Sequence, residues 1–359
     1  MLSATAHSDP MAAASQHDEL TAVLERHRAF WLRAPVDRPL LRIVPYEEWK
    51  PYAAFVRRDG SILPHGAEIK PGLLAMAANL EPGRPQQMLD ADFVCGWGPL
   101  DLCWTEAIMG CRVLRGGPSV WSEPFIEDWA AVDGLAWAGN SPWLDELLAI
   151  NQWLVQESAG VYPVCQPLMR GPLDMAEGVL PSALLYAGFY ENPAQLRKLL
   201  HLCAKVFVDV GKRRLAQTPP WHGGYMVRYE WGLWAPGPTI QFQADASRNL
   251  SPAKYREFLV EIDREIIEGF EFSIIHTHSG SSHILPVLVE EPGLRAIEVA
   301  LDPAPYGPPP PQLLPRFKLV QEAGKSLYIG GPLKRSELDL LLENLSPTGL
   351  AIRAGILPE

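Results

Sequence analysis

Short strand-like runs alternate with amphipathic helix patterns through the second half of this sequence, and this alternation constrains the fold more than any other feature. Two helix patterns start with an N-capping residue followed by proline, at Asn192-Pro193 and at Ser251-Pro252. Strands that alternate with helices predict a parallel sheet, and roughly seven of them without a Gly-x-Gly-x-x-Gly turn predict a (β/α)8 TIM-type barrel. The strand-like runs are Val161–Gln166, Tyr225–Glu230, Thr239–Gln243, Phe272–His278, Leu294–Leu301, Ser326–Gly330 and Gly349–Arg353.

The chain divides into a tail and one domain. Residues 1–19 are rich in Ala, Ser and His, and we expect them to be disordered. The single domain covers residues 20–359, with an irregular, Trp-rich N-terminal cap over 20–160 and the main barrel strands over 161–359. Within the cap, the patterns predict a helix at Leu20–Leu32, a strand within Arg38–Pro45 and a helix from Pro142 to Glu157.

Composition limits the partners of the chain. Its 359 residues include 31 basic and 42 acidic side chains, so the formal net charge is −11. This balance argues against general binding to nucleic acid or anionic membranes, both of which require a basic face. Because no apolar run approaches the roughly 18–20 residues of a membrane span and the N-terminus lacks a signal-peptide pattern, we expect a cytoplasmic protein. The partner that we expect is a small-molecule substrate. The sequence leaves open whether the chain forms a homodimer.

His276 and His278 form the strongest candidate site. Residues two apart on a strand point to the same face, so both imidazoles would face the barrel interior near the carboxyl end of their strand, where barrels carry their chemistry. Glu298, on the next run, would complete a set of two imidazoles and one carboxylate that holds a divalent metal and leaves a coordination position open. The alternatives are a hydrogen-bonded pair of histidines and a salt bridge from Glu298 to Arg295 or Arg353.

Further polar residues share the expected interior face. Arg228 and Glu230 lie two residues apart, and an inward Arg suits a carboxylate substrate, whereas an internal ion pair is the alternative. A second series would orient a polar ligand or form a hydrogen-bonded layer; it comprises Gln241, Gln243 and Asp245.

Two more carboxylates precede predicted helices. Asp101 lies in the apolar and aromatic segment Trp97–Trp104, where it is a candidate catalytic residue or the cap of a helix. Asp174 follows Gly171-Pro172 and has two interpretations as well. It lines the pocket as a substrate-binding residue, or it caps a helix.

Several segments, taken together, resemble the uroporphyrinogen decarboxylase superfamily. They are Glu106–Val113, Gly117–Pro124, Gly171–Glu177, Asp245–Pro252 and His276–Gly280, in this order along the chain. The resemblance implies a (β/α)8 barrel and one of two chemistries. One is cofactor-free decarboxylation of a tetrapyrrole, in which Asp101 would be the carboxylate in the cleft. The other is methyl transfer between a corrinoid protein and a thiol, with a related zinc site in cobalamin-independent methionine synthase.

The details of the resemblance favour the methyltransferase-like branch. The decarboxylase signature Arg-Gln-Ala-Gly-Arg is absent, and so is the His-Gly-Ile that decarboxylases carry near the C-terminus. In the methyltransferase metal site, His276 matches the His of a His-x-Cys motif and His278 stands in the Cys position. Glu298 resembles the Glu of the methionine synthase site. The late Cys of these sites has no counterpart, because Gly330-Gly331-Pro332 occupies that region.

We therefore expect a methyltransferase-like enzyme that moves a methyl group between a corrinoid or small methyl donor and a thiol or similar acceptor. Zinc or another divalent metal would lie at His276, His278 and Glu298, and the corrinoid would be carried by a partner protein. The residues expected to place the substrate are Asp101, Arg228 and Glu230. The alternatives are a cofactor-free decarboxylase of a porphyrinogen-like or small carboxylate, and a barrel that binds a tetrapyrrole or corrinoid without turnover.

Overall fold

A six-stranded parallel sheet lies at the centre of the molecule. The computed structural model describes residues 10–49, 64–74, 85, 87–116, 119–228 and 230–358. With strands numbered along the chain, every neighbouring pair in the sheet is parallel. The order is β1 (Leu40–Pro45), β13 (Leu350–Ile356), β12 (Ser326–Leu333), β11 (Ala296–Ala300), β10 (Phe272–His278) and β9 (Thr239–Gln243). The α/β class and the parallel sheet predicted from the alternation are confirmed.

Helices and short strands complete the fold. The longer helices are α1 (Pro10–Leu32), α3 (Pro142–Ser158), α6 (Pro193–Gln217) and α10 (Pro310–Glu322). The shorter ones are α2 (Trp104–Ile108), α4 (Pro172–Val179), α5 (Ser182–Glu191), α7 (Pro252–Phe258), α8 (Val260–Ile267), α9 (Leu285–Leu288) and α11 (Arg335–Asn344). Antiparallel sheets join β2 (Glu68–Ile69) to β5 (Arg112–Gly116) and β6 (Ser119–Glu123), β3 (Leu89–Asp90) to β4 (Phe93–Val94), and β7 (Tyr225–Met226) to β8 (Trp234–Ala235). Among the described helices, none has the length and apolar character that crossing a bilayer requires.

The two faces of the parallel sheet pack into different cores, because successive side chains on a strand point in opposite directions. One face contributes to the large core shared with the helices, through Ile275, Ile297, Ile329 and Ile352. The opposite face contributes to a smaller core that also contains Trp31 and Trp231, through Ile274, Ala296, Tyr328 and Ala351. His276 and His278 continue the second face beyond Ile274, as the alternation predicts.

Several element bounds differ from the expectation. Strands β9 and β10 have the bounds that the pattern predicts, but β7 ends at Met226 and pairs antiparallel with β8. The run Val161–Gln166 forms no regular strand in the described structure, because Pro163 within it has no N–H to donate to a ladder. Helix α1 begins at Pro10, ten residues before the predicted start at Leu20. The Ala-rich stretch that precedes Leu20 has a high helix propensity and extends the helix towards the N-terminus. Residues 1–9 lie outside the described residues.

The regular parallel ladders of the described residues do not close into an eight-stranded barrel. Three isolated parallel bridges continue the strand pattern beyond β9, and they join Arg170 to Gln243, Gln166 to Arg228 and Trp97 to Val164. On the other side of the sheet, the Asp92 N–H donates to the carbonyl oxygen of Leu41 in β1 at 3.4 Å.

Candidate functional site

Strand register brings polar residues from all six strands into two rows at the carboxyl ends of the sheet. Residues in register on neighbouring strands point to the same face. The first row consists of Gln243, His276, Glu298 and Tyr328. The next row, two residues nearer the carboxyl ends, consists of His278, Ala300, Gly330, Arg353 and Arg42. The small residues Ala300 and Gly330 leave the middle of this second row open.

A cavity of about 440 Å³ occupies the open part of the rows. Its lining includes both histidines of β10, the carboxylate of Glu298 and an aromatic wall. In that wall, the Trp231 ring lies 5.7 Å from the His276 ring and 5.9 Å from the Tyr328 ring, measured between centroids. Three guanidinium groups also line the cavity, those of Arg42, Arg228 and Arg353. The cavity therefore combines cations with imidazoles and an apolar wall.

Three donor atoms converge beside this cavity. Asp245, in the turn that follows β9, places its Oδ1 atom 3.4 Å from Nε2 of His276 and 3.7 Å from Nε2 of His278. One ligand atom from each of the three residues lies within 4.8 Å of the others. Asp245 Oδ1 is buried and makes no hydrogen bond with any described residue.

A second carboxylate lies behind each imidazole. Nδ1 of His276 contacts the buried carboxylate of Glu298, and Nδ1 of His278 lies 2.7 Å from Oδ1 of Asp302. Asp302 also accepts the N–H of Gly280 at 3.1 Å. Since a carboxylate accepts hydrogen bonds, each Nδ1 carries a hydrogen, and each ring, when it is neutral, directs the lone pair of Nε2 towards Asp245. Glu298 was expected as a metal ligand. It contacts Nδ1 of His276 and therefore lies on the opposite side of that ring from Asp245.

The carboxylates change the acidity of the two imidazoles. Burial disfavours the charged form of His278, but the hydrogen bond that Nδ1–H donates to Asp302 and the charge of Asp245 outweigh it and raise the pKa to about 9. Burial has the same effect on His276, where the charges of Glu298 and Asp245 raise the pKa above its ordinary value. The group formed by Asp245, His276 and His278 therefore favours positive charge, which protons or a metal ion can supply.

The expected catalytic residues form a buried ion-pair chain at the edge of the cavity. Nη2 of Arg228 lies 2.8 Å from Oδ2 of Asp101 and contacts Glu230. Asp101 also accepts the N–H of Leu168 at 3.2 Å. Arg228 and Glu230 line the cavity, whereas Asp101 lies behind Arg228 and is not part of the lining. The structure thus contains the internal ion pair between Arg228 and Glu230.

The expected substrate-binding residues lie next to the cavity without lining it. Gln243 shares the row of His276, and Gln241 lies one row deeper, where its buried amide makes no hydrogen bond with a described residue. Asp245 belongs to the donor cluster. Asp174 accepts the backbone N–H groups of Asp245 and Ala246.

Sequence reasoning did not identify Arg42 as a site residue. Arg42 is in register with Arg353 on the neighbouring strand and forms an ion pair with Asp90. Arg353 lies 5.1 Å from the Trp49 ring centroid and forms no salt bridge with a described residue. A charged residue in the middle of the apolar run Leu40–Pro45 was the available signal, because a buried charge requires a partner or a function.

Comparisons with known proteins support the fold. No family model matches the sequence, and none of the curated proteins matches it. A methyltransferase from Methanosarcina mazei has a similar structure, with a TM-score of 0.59 and 14% sequence identity over 94% of both chains. A B12-independent methionine synthase from Shewanella sp. W3-18-1 in complex with selenomethionine covers 71% of this chain and 67% of its own, with a TM-score of 0.39 and 12% identity. The first likeness shows a shared fold.

Proposed function

We propose that this protein is a metal-dependent enzyme that transfers a methyl group from a corrinoid or small methyl donor to a thiol or similar acceptor. The observation that carries the proposal is the convergence of Asp245, His276 and His278 on one point beside the cavity. The fold shared with a methyltransferase supports the choice of reaction. A corrinoid donor would be carried by a partner protein.

The donor atoms fit a divalent cation. When both rings are neutral, two Nε2 lone pairs and one carboxylate oxygen point at each other, and three acceptors in this arrangement repel one another unless protons or a cation lie between them. Two imidazoles and one carboxylate leave a coordination position open, as in catalytic zinc sites. In this proposal Asp245 replaces Glu298 as the third ligand, and Glu298 and Asp302 orient the two imidazoles through Nδ1.

A zinc ion held by Asp245, His276 and His278 would lower the pKa of a thiol acceptor, so that the thiol would release its proton to solvent and react as thiolate. Trp231 and Tyr328 shield the acceptor from water, and Arg228 and Glu230 hold the substrate at the cavity edge. In the transfer, the acceptor sulfur forms a bond to the methyl carbon while the bond from methyl to donor breaks, and the donor keeps the bonding electron pair.

Arg42 and Arg353 indicate an anionic group on the substrate. The two residues are partners on adjacent parallel strands and face one cavity, and like charges directly opposite each other are destabilising. Asp90 offsets the charge of Arg42, but Arg353 has no salt-bridge partner among the described residues. A carboxylate or sulfonate of the substrate would supply that partner through bidentate hydrogen bonds.

We also propose that the sheet is the regular part of a (β/α)8 barrel of the uroporphyrinogen decarboxylase superfamily. The isolated parallel bridges Trp97–Val164, Gln166–Arg228 and Arg170–Gln243 support the closure, because they occur where the missing strands of a barrel would lie.

Metal analysis of the purified full-length protein tests the proposal. After incubation with zinc and removal of excess metal, the wild type should retain one ion per chain and His278→Ala should retain almost none. His201→Ala is the matched control, because His201 forms a similar pair with Glu265 (2.5 Å) on the surface of α6. A wild type that retains no zinc would overturn the proposed site.

An activity assay separates the reaction from the metal site. If zinc is retained but no S-methylated product forms from any methyl donor and thiol pair, methyl transfer is wrong and the metal site stands.

A further inference from the structure

Asp174 is bound to the backbone of the proposed ligand Asp245. Its side chain belongs to the first turn of α4 and is 6% exposed. Its two carboxylate oxygens accept the N–H groups of Asp245 at 3.2 Å and of Ala246 at 2.8 Å. These N–H groups begin the helical turn Asp245–Asn249, whose own N-cap residue, Ala244, has no side-chain acceptor. Asp174 thus provides the cap from another element of the fold.

A close backbone contact fixes the position of Asp174. The N–H of Gly171 donates to the carbonyl oxygen of Gln243 at 3.1 Å, and the N–H of Gln243 donates to that of Met169 at 3.2 Å. A Cβ atom on Gly171 would lie 2.2 Å from the Gln243 oxygen, so a larger residue could not approach β9 this closely. Helix α4 therefore starts at a position set by the end of β9, and Asp174 faces the turn that follows β9.

We propose that Asp174 is a positioning residue that holds Asp245 Oδ1 beside His276 and His278, an inference that rests on the proposed role of Asp245 as a metal ligand. The two imidazoles are oriented by carboxylates on Nδ1. Asp245 Oδ1 makes no hydrogen bond with a described residue, so its position depends on the backbone that Asp174 holds. With this assignment, each of the three ligand residues is oriented by its own carboxylate.

Cobalt(II) binding to the full-length protein tests this role. Asp174→Ala should weaken Co(II) affinity about 10–100-fold, as expected for loss of a group that orients a ligand. It should also change the visible absorption spectrum of bound Co(II), because the carboxylate ligand moves. Asp174→Asn keeps one acceptor oxygen and should give an intermediate affinity. A purely structural role would lower the melting temperature without altering that spectrum.

Asp263 provides the matched control. It is also an aspartate with 6% exposure, and it accepts the Tyr255 hydroxyl at 2.5 Å on the helical layer. Asp263→Ala should lower the melting temperature and keep the wild-type Co(II) affinity and spectrum.

The possible results separate this inference from the proposed function. If the wild type binds Co(II) and Asp174→Ala binds it with the same affinity and spectrum, the inference is overturned and the metal site stands. If the wild type itself binds no Co(II), the proposed function fails. If Asp174→Ala does not fold, Asp174→Asn decides the question, and an affinity equal to that of Asp263→Asn would overturn the inference.

Discussion

At the scale of single residues, the site depends on which nitrogen of each imidazole meets which carboxylate. Glu298 and Asp302 take the two Nδ1 atoms, and Asp245 faces the two Nε2 atoms. The alternation of side chains along β10 predicts that both histidines share a face. It does not predict which ring nitrogen a given carboxylate meets, because that depends on χ angles and on the spacing between strands. For this reason the sequence identified the two imidazoles and Glu298 but placed Asp245 with the substrate.

Glu298→Gln should weaken zinc binding about 10-fold, because a neutral amide oxygen raises the basicity of the His276 ring less than a carboxylate does. Competition with a chromophoric chelator measures the affinity. Glu265→Gln, which alters the surface pair with His201, serves as the control and should bind zinc as the wild type does. Equal affinities for Glu298→Gln and wild type would show that Glu298 does not support the site.

Arg353→Met should weaken binding of 3-mercaptopropionate to the zinc-loaded protein about 10–100-fold, because charge-assisted hydrogen bonds contribute roughly 1.5–3 kcal/mol. Binding of 1-propanethiol, which has no anionic group, should not change. Calorimetric titration measures both. Arg335→Met is the control, since Arg335 pairs with Asp339 on the exposed surface of α11. An equal loss for both thiols would contradict an anion-binding role.

At the scale of elements, the strands build the cavity through the sizes of their residues. Ala300 of β11 and Gly330 of β12 lie in one row between His278 and Arg353. The bounds of β9 and β10 could be predicted because their apolar alternation is continuous. The partnership of Arg42 with Arg353 could not, because it joins strands more than 300 residues apart and is determined by the order of strands in the sheet.

Ala300→Leu should close much of the cavity. The added methyl groups extend into open space next to Gly330, so the fold should tolerate them better than a buried core would. We expect thiol binding to fall at least about 10-fold while zinc content stays at the wild-type level. Ala323→Leu makes the same change at an exposed position after α10. Unchanged thiol binding in Ala300→Leu would place the substrate elsewhere.

At the scale of the whole molecule, α1 packs against β1 and β8. His27 is fully buried, with Nε2 2.8 Å from the carbonyl oxygen of Asp92 and Nδ1 accepting the N–H of Trp234 at 3.0 Å. Trp31 donates to the carbonyl oxygen of Trp234 at 2.8 Å. The sequence predicts the helix from its pattern. These partners could not be predicted, because they lie in segments joined to α1 by tertiary packing alone.

His27 should make the stability of the protein depend on acid. Burial lowers the pKa of His27 from 6.5 to about 4, so between these pH values the unfolded chain binds a proton that the folded chain does not. Stability is therefore lost as the pH falls from 6.5 towards 4, by on the order of 3 kcal/mol. Chemical denaturation of wild type and His27→Gln across this range measures the effect, and the variant should show a flatter dependence. Parallel curves would contradict a neutral, buried His27.

Anomalous diffraction at the zinc edge, from crystals of the zinc-loaded protein, locates the metal ion and its ligands. We expect one strong peak within about 2.0–2.2 Å of Nε2 of His276, Nε2 of His278 and Oδ1 of Asp245, with Glu298 and Asp302 hydrogen-bonded to the two Nδ1 atoms. A peak liganded by Glu298 instead of Asp245, or no peak between the two imidazoles, would contradict this expectation.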